Sequence, residues 1–437
     1  MTITRIETIT LGAFPNLLWV RVHTDQGLVG LGEAFVGAQT VASYIHETVA
    51  PYLLGKDARQ IERHSRALYG YLGFKSTDVE ARGNSAVDIA LWDLFGRAIG
   101  VPIYQLLVGA SRDKIRVFNT CAGYRYVRSK PVQSIDNWGL PIGEGEGPYE
   151  DLDAFLYRAD ELAESLLEQG NTGMKIWLAD FYAEASNGAY ISAEELDTAL
   201  DPFRKLRRAV GNKMDIMVEF HSLWSLPMAK RLAHALEEFN PSWFENPIKM
   251  DDLGVLTELT RSTRVPIAAS DTLGSRWAFR DLLEARAAGV VMFDLGWCGG
   301  FSEGKKIAGM AEAYSLPVTL HDCSGPVVLT VSVHLSINAP NALTQEMVRA
   351  FYFGWYDELV TNLPRIENGF LYPPGGPGLG IDLLPDLPQR KDAQVRVTEP
   401  QTDERGIPRY LHLRCKCRCA EASLKNIGGI SRWSLYH

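Results

Sequence analysis

The chain has 437 residues, of which 46% are hydrophobic and 22% are charged, and its formal net charge is −9 at pH 7. This composition is typical of a globular protein, and the length allows a large core and more than one domain. The acidic balance argues against a nucleic-acid partner, and no apolar run is long enough to cross a bilayer. The start of the chain shows no signal peptide and its six cysteines do not form a disulfide framework, so we expect a cytoplasmic protein.

The N-terminal part of the chain has the pattern of a hairpin followed by helices. Residues 18–23 alternate between apolar and polar side chains, residues 25–27 predict a turn, and residues 28–33 predict the returning strand. The glycines here lack the spacing of a dinucleotide-binding loop. Residues 39–110 show helical periodicity. Strands followed by helices predict a separate α+β domain.

A strand–helix repeat begins at residue 115. Three acidic residues in it, Glu219, Glu245 and Asp271, each close a short apolar run and lie 26 residues apart (245 − 219 and 271 − 245). A repeat of about this length is one strand–helix unit of a parallel barrel, so we expect the three carboxylates to converge at one end of it. They would repel one another unless a cation lay between them, and oxygen ligands favour a hard ion such as Mg²⁺.

Two later apolar runs end at Asp294 and His321. An aspartate and a histidine at adjacent strand ends would form an oriented general base. His221 follows the first acidic residue by two positions, and strand alternation places both side chains on the same side. An eighth strand is predicted over residues 343–346, ending at Glu346. We therefore expect both histidines to face the site, with a structural role as the alternative.

Three segments depart from the repeat. Residues 127–150 are rich in Gly and Pro, and a loop of this length is typical of a lid over a site, with disorder as the alternative. Residues 180–190 form an insertion after a predicted strand at 173–177. Residues 411–437 hold three closely spaced cysteines without clear periodicity. A poorly ordered tail is predicted there, with a metal or redox role as the alternative.

Together these patterns resemble the enolase superfamily, specifically the mandelate racemase subgroup and its acid-sugar (galactonate-type) dehydratases. The resemblance covers residues 1–390 and is carried by the spacings above and by the motifs Phe244-Glu-Asn-Pro247, Leu320-His-Asp-Cys-Ser-Gly-Pro326 and Pro377-Gly-Leu-Gly380. It implies an α/β fold, a modified (β/α)7β TIM-like barrel over residues 114–370. It also implies an N-terminal α+β capping domain over residues 1–113, with residues 371–410 packing back on it.

The resemblance also implies roles for the candidate residues: metal ligands at Glu219, Glu245 and Asp271, a base dyad of His321 and Asp294, an acid at His221, and substrate-carboxylate contacts at Lys175 and Glu346. We further expect substrate contacts from Asn16, Tyr124, Arg125 and Trp138. Two positions depart from the family pattern. The first and third metal ligands have exchanged side-chain lengths, and Trp177 stands where racemases carry a second lysine that acts as a base.

These residues predict a Mg²⁺-dependent hydro-lyase acting on an aldonate or aldarate. His321 would remove the α-proton to form an enediolate, and His221 would give a proton to the departing 3-hydroxyl, leaving a 2-keto-3-deoxy acid. The missing second lysine disfavours a two-base racemase. A racemase or epimerase of a carboxylate and a non-catalytic sugar-acid-binding homologue remain alternatives. Since family members are often oligomeric, the resemblance also predicts a homo-oligomer.

Overall fold

The computed structural model describes residues 1–70, 78–129, 132, 134–138, 147–177, 179–402 and 408–409, with only the backbone of 137–138, 401–402 and 408–409. The predicted tail, 411–437, and the centre of the predicted lid, 139–146, lie outside the described residues. Among the helices described, none combines the length and apolar character needed to cross a membrane.

An antiparallel sheet and a layer of helices form the N-terminal part. The sheet contains β1 (Ile3–Leu11), β2 (Phe14–Thr24) and β3 (Val29–Phe35), and a strand from the far end of the chain, Ala393–Thr398, pairs with the outer edge of β1. The helices are α1 (Ala38–Tyr44), α2 (Ala50–Leu53), α3 (Ile61–Tyr69), α4 (Asp78–Ile99) and α5 (Ile103–Leu106), with a π-helical turn at Ile45–Val49.

Two glycines of β3 allow α4 to lie directly on this sheet. A Cβ atom at Gly30 would lie 2.0 Å from the carbonyl oxygen of Ala90, and one at Gly32 would lie 1.9 Å from that of Ala86. Any larger residue would push the helix away. These glycines therefore serve helix–sheet packing, in agreement with the hairpin interpretation of this stretch.

Eight parallel strands of the described chain form a closed barrel, because the last of them pairs with the first. They are β4 (Ile115–Thr120), β5 (Gly173–Ile176), β6 (Asp215–Glu219), β7 (Trp243–Glu245), β8 (Ile267–Ala269), β9 (Val290–Phe293), β10 (Val318–Leu320) and β11 (Ala342–Met347). The predicted fold, a barrel with an N-terminal capping domain, is confirmed.

Helices surround the barrel. They are α6 (Asp151–Tyr157), α7 (Ala159–Glu168), α8 (Asp180–Ser186), α9 (Ala193–Val210), α10 (Leu226–Leu236), α11 (Leu253–Ser262), α12 (Ser275–Ala285), α13 (Gly300–Ala313), α14 (Pro326–Asn338) and α15 (Arg349–Tyr352). The 3-10 turns are Ile135–Trp138, Gly211–Lys213, Glu237–Phe239, Tyr356–Glu358 and Leu387–Gln389, and the remaining strands are β12 (Ile366–Glu367), β13 (Phe370–Leu371), β14 (Ala393–Thr398), β15 (Gln401–Thr402) and β16 (Pro408–Arg409).

Two local features go beyond the regular strand–helix repeat. Between β4 and β5 the chain forms two helices, α6 and α7, because Arg158 leaves helical geometry at φ −137° and ψ 48°. The insertion at 180–190, for which no element was predicted, begins with α8. Its first residue, Asp180, contacts the candidate site residue His221.

The inside of the barrel is packed, so the site lies above it rather than within it. Its filling is apolar and consists of Phe118, Met217, Trp243, Ala268, Val290 and Met292. The polar side chains at the strand ends are therefore held on a rigid floor.

The cap is joined to the barrel through the buried carboxylate of Glu33. Its oxygens accept hydrogen bonds from the indole N–H of Trp19 (2.8 Å) and from the backbone N–H of Val328 (3.0 Å) at the start of α14. Burial raises the pKa of Glu33 to about 8, because it outweighs these two donors. A neutral acid therefore fits this joint at neutral pH.

Candidate active site

The carboxyl ends of the barrel strands open into a cavity of about 790 Å³, its mouth included. Five of the residues predicted from the sequence line it: Lys175, Glu219, His221, Asp271 and His321. Three others are buried and contact this set from behind: Glu245, Asp294 and Glu346. The barrel brings them together because each lies at or just after the carboxyl end of a strand.

Lys175 lies at the centre of the carboxylates. Its ammonium contacts Glu245, lies 2.8 Å from Oε1 of Glu346 and lies 3.7 Å from Oε2 of Glu219. Burial works against the charge of Lys175, but the three carboxylates outweigh it and hold its pKa well above the ordinary value. Lys175 is therefore a fixed cation on the floor of the cavity.

The acidic residues carry more negative charge than Lys175 balances. Burial, and then the neighbouring charge of Glu245, raise the pKa of Glu219 well above its usual range. The amide of Asn246 donates to Asp271, while its Oδ1 atom is buried and has no hydrogen-bond partner among the described residues. An excess of negative charge, beside a buried oxygen that has no hydrogen-bond partner among the described residues, indicates that a further cation can bind here.

A hard divalent cation fits this donor set by chemistry. Glu219, Glu245 and Asp271 offer only carboxylate oxygens, the ligands that Mg²⁺ prefers. Within the described ranges, no three Asp, Glu, His or Cys side chains are already arranged to hold a metal ion, and the ammonium of Lys175 lies against two of the three carboxylates. The role of this set as metal ligands stays a prediction.

His321 and Asp294 form a buried pair. Nδ1 of His321 lies 2.8 Å from Oδ2 of Asp294, whose other oxygen accepts the backbone N–H of Gly296 at 2.6 Å. Burial alone would lower the pKa of His321, but Glu346, Asp271 and Asp294 outweigh it and raise it to about 10. The hydrogen bond to Asp294 sets the orientation of the ring. Its other nitrogen, Nε2, lies on the side of Asp271, at 3.9 Å from Oδ2 of that residue.

His221 forms a second pair, with a residue that sequence reasoning missed. Its Nδ1 lies 2.7 Å from Oδ2 of Asp180, the first residue of α8. No sequence pattern indicates this contact, because Asp180 lies in the insertion, outside the strand–helix spacing. The cavity thus holds two histidines, each bonded to a buried aspartate.

Glu346 does not line the cavity, although a direct contact with substrate was expected. Its side chain is fully buried, and its oxygens accept from Thr120, from Lys175 and from the backbone N–H of Asp322. Thr120 and Lys175 do line the cavity. In this arrangement Glu346 reaches the cavity through those two side chains.

Three of the other residues predicted to contact substrate do not line the cavity. Asn16 is buried and donates to the backbone of Ser129 at 2.9 Å, so it holds a loop rather than lining the cavity. Tyr124 is also buried away from the lining, and its hydroxyl accepts from Arg128 at 2.8 Å. Arg125 is exposed and does not line the cavity. The side chain of Trp138 lies outside the described residues.

Aromatic residues that the sequence analysis did not assign to substrate supply much of the wall: Phe35, Tyr126, Trp177 and Trp297. Trp297 follows Asp294 by three residues and stacks on His321, with ring centroids 6.3 Å apart. Its position in the loop after β9 was the available signal. In the sequence, Trp177 is notable only as the replacement for a lysine.

Comparison with known proteins agrees with this fold. Residues 158–387 match the family described as enolase C-terminal domain-like, and residues 8–108 match the mandelate racemase/muconate lactonizing enzyme N-terminal domain. The chain belongs to the enolase superfamily. In this enolase-superfamily protein the N-terminal match covers most of the cap, and the C-terminal match covers the barrel from α7 onward.

Named relatives of this superfamily member include a D-galactonate dehydratase from Ralstonia nicotianae. It is 31% identical over 390 residues, which is 88% of this chain and 92% of that protein. A solved enolase of the mandelate racemase subgroup from Agrobacterium tumefaciens is 52% identical, with a TM-score of 0.81 over 91% of this chain and 99% of that one. A solved enolase protein from Sargasso Sea environmental sequencing is 41% identical, with a TM-score of 0.81 over 92% and 99%.

Proposed function

We propose that the protein is a Mg²⁺-dependent acid-sugar dehydratase that converts an aldonate or aldarate to a 2-keto-3-deoxy acid. The observation that carries this proposal is the pair of histidines, His221 and His321, on opposite sides of one cavity. They follow β6 and β10, which are separated by three strands in either direction around the barrel. One histidine can therefore act at C2 of a bound acid while the other acts at the hydroxyl on C3.

The residues of the chain have distinct tasks in this reaction. Lys175 pairs with the substrate carboxylate and lowers the cost of placing a negative charge over the floor of the cavity. With Mg²⁺ bound, the negative charge that raises the pKa of His321 would be offset in part, so the neutral ring can take the C2 proton at Nε2. Asp294 accepts the hydrogen bond from the Nδ1–H group and keeps the ring in place. Glu219, Glu245 and Asp271 would hold Mg²⁺, which supplies electrostatic stabilisation of the charge that develops on the substrate.

The second proton transfer completes the elimination. The electron pair left at C2 forms the C2–C3 double bond as the C3–O bond breaks, and the pair from that bond leaves with oxygen. Nε2 of His221 gives the proton that turns the leaving group into water. The resulting enol then takes a proton at C3 and releases the proton of its C2 hydroxyl to give the 2-keto acid. Each positioned proton transfer contributes on the order of 10²–10⁴-fold to such a rate.

An epimerase is the second candidate, and one observation favours it. Two histidines on opposite sides of the cavity could also place a base on each face of C2. Against it, the wall carries Trp177 where racemases have a second lysine. A cytoplasmic location and a homo-oligomeric state stay predictions from the sequence.

The test is turnover with Mg²⁺ on a panel of C4–C6 aldonic and aldaric acids in D₂O. D-galactonate comes first, because the Ralstonia relatives carry the name D-galactonate dehydratase. We expect a 2-keto acid from at least one compound and none with His321→Asn. Deuterium at C2 without any 2-keto acid would move the assignment to epimerisation. Binding of a sugar acid with neither 2-keto acid formation nor deuterium at C2 would indicate a non-catalytic homologue.

A further inference from the structure

We propose that Asp180 is the positioning residue for His221, and that it turns Nε2 of that ring towards the hydroxyl leaving C3. This inference rests on the proposed dehydration, which it deepens by assigning a function to the insertion between β5 and α9. Asp180 lies on no barrel strand and does not line the cavity. It would act on the substrate only through His221.

The geometry of the contact fixes which ring nitrogen faces which way. Asp180 is 1% exposed, and its Oδ2 lies 2.7 Å from Nδ1 of His221. A carboxylate can only accept, so the Nδ1–H group donates to it. Since His221 lines the cavity and Asp180 lies behind it, the Nε2 edge of the ring lies on the cavity side.

The ring is also held across its face. Trp177 packs against His221 with ring centroids 5.3 Å apart and planes at 74°, and Phe155 packs against Trp177 from behind at 5.1 Å. The backbone of His221 has a positive φ of 49°, a conformation that costs energy in a residue other than glycine. This packing holds the plane of the His221 ring but does not decide which of its two nitrogens faces the cavity. The hydrogen bond to Asp180 decides that.

The segment that carries Asp180 is fixed to the loop that carries His221. The backbone N–H of Ser225 donates to the carbonyl of Gly188 at 3.0 Å. A Cβ atom at Gly188, where φ is +70°, would lie 2.0 Å from the carbonyl oxygen of Leu223. This close approach of two backbones sets the distance between α8 and the loop after β6, and with it the Asp180–His221 contact.

The arrangement matches that of the proposed base across the barrel. There the Nδ1 atom of His321 lies 2.8 Å from Asp294, and that aspartate follows the neighbouring strand β9. The barrel supplies the partner of the proposed base, whereas an insertion supplies the partner of the proposed acid. The two contacts therefore arise from different parts of the fold but have the same chemical form.

Asp180→Asn tests the proposal, because the amide keeps the size of the side chain and removes its charge. We expect kcat for dehydration to fall on the order of 10²-fold with KM little changed. Deuterium exchange at C2 of recovered substrate should continue, since His321 is untouched. The ratio of exchange to dehydration should therefore rise, and Asp180→Glu should restore part of kcat.

The matched control is Glu184→Gln on the same helix. Glu184 accepts the backbone N–H of Ile135 at 3.1 Å and does not line the cavity, so the exchange-to-dehydration ratio should stay at the wild-type value. Unchanged kcat in Asp180→Asn would overturn the proposal. A parallel fall of exchange and dehydration would also overturn it, because that is what general damage to the site produces.

A second measurement separates this inference from the proposed function. Long-range ¹H–¹⁵N correlation of ¹⁵N-histidine-labelled protein reports which ring nitrogen carries the proton, and His221→Asn identifies the signal. We expect a proton on Nδ1 of His221 in the wild type, and a loss of that preference in Asp180→Asn. Identical spectra would refute the positioning role even if dehydration is observed. If no sugar acid reacts, the expected change in tautomer would still support it.

Discussion

The ammonium of Lys175 lies 2.8 Å from the carboxylate of Glu346, which is itself fully buried beneath the cavity. Removing the charge in Lys175→Met leaves this carboxylate and that of Glu245 unpaired. Breaking a buried ion pair on one side costs about 3–5 kcal/mol. We expect a clear fall in thermal stability and no turnover, measured by calorimetry and by 2-keto acid formation.

Lys205→Met is the control for that experiment. Lys205 pairs with Asp201 at 2.9 Å on the surface of α9, and an exposed pair of this kind contributes about 0.3–0.5 kcal/mol. A Lys175→Met variant as stable as Lys205→Met would show that the buried carboxylates do not depend on this lysine.

The metal proposal predicts a change in cation binding itself. Asp271→Asn keeps the shape of the side chain and removes one carboxylate, so Mg²⁺ affinity should fall by more than the roughly 10–100-fold typical of an outer-shell partner. Isothermal titration with Mg²⁺ measures this directly. Asp251→Asn, at an exposed position outside the cavity, should bind as the wild type does. Equal affinities in the two variants would remove Asp271 from the ligand set.

Glu33 predicts how stability depends on pH between mild acid and about pH 8. Burial raises its pKa from the ordinary 4.5 to about 8, so its contribution is fully present below about pH 4.5 and is lost as pH rises to about 8. Within that range each pH unit costs up to about 1.4 kcal/mol from this group alone, and above it the loss levels off because the group is ionised in both the folded and the unfolded chain. Melting temperatures should therefore fall more steeply from pH 5 to pH 8 for the wild type than for Glu33→Gln. Parallel curves between pH 5 and pH 8 would mean that Glu33 does not titrate in this range.

The close packing of β3 against α4 leaves no room for a side chain at Gly32. An added Cβ atom would lie 1.9 Å from the carbonyl oxygen of Ala86, so Gly32→Ala should destabilise by about 1–3 kcal/mol or more through forced backbone shifts. Gly309, inside α13, is exposed and has no atom within 4 Å of such a Cβ. There, alanine should stabilise by about 0.5–1 kcal/mol. Denaturant unfolding of both variants compares the two effects.

The residues that could be placed from the sequence are those that obey the barrel repeat. Glu219, Glu245, Asp271 and His321 are tied to strand ends, and a strand–helix unit has a nearly fixed length, so their convergence follows from spacing alone. Glu346 was placed on the correct strand, but a one-dimensional pattern does not tell how deep a side chain lies. Its burial under Lys175 and Thr120 became visible only in the folded chain.

Loops have no such regular spacing, so the predictions for loop residues were less accurate. In the segment after β4 the sequence singled out Tyr124, whereas Tyr126 lines the cavity. The turn over residues 123–126, closed by the bond from the N–H of Tyr126 to the carbonyl of Gly123 at 3.1 Å, decides which ring faces inward. Asp180 was missed for the same reason, because its partner lies 41 residues away across an insertion.

The pairing of β14 with β1 has a consequence for the order of events during synthesis. The first strand leaves the ribosome almost 400 residues before its outer neighbour, so its backbone edge stays unpaired until the whole barrel has been made. An unpaired edge is a template for pairing with another chain. Nascent molecules, and molecules terminated before β14, should therefore depend on chaperones that shield this edge, whereas a chain that includes β14 covers the edge itself.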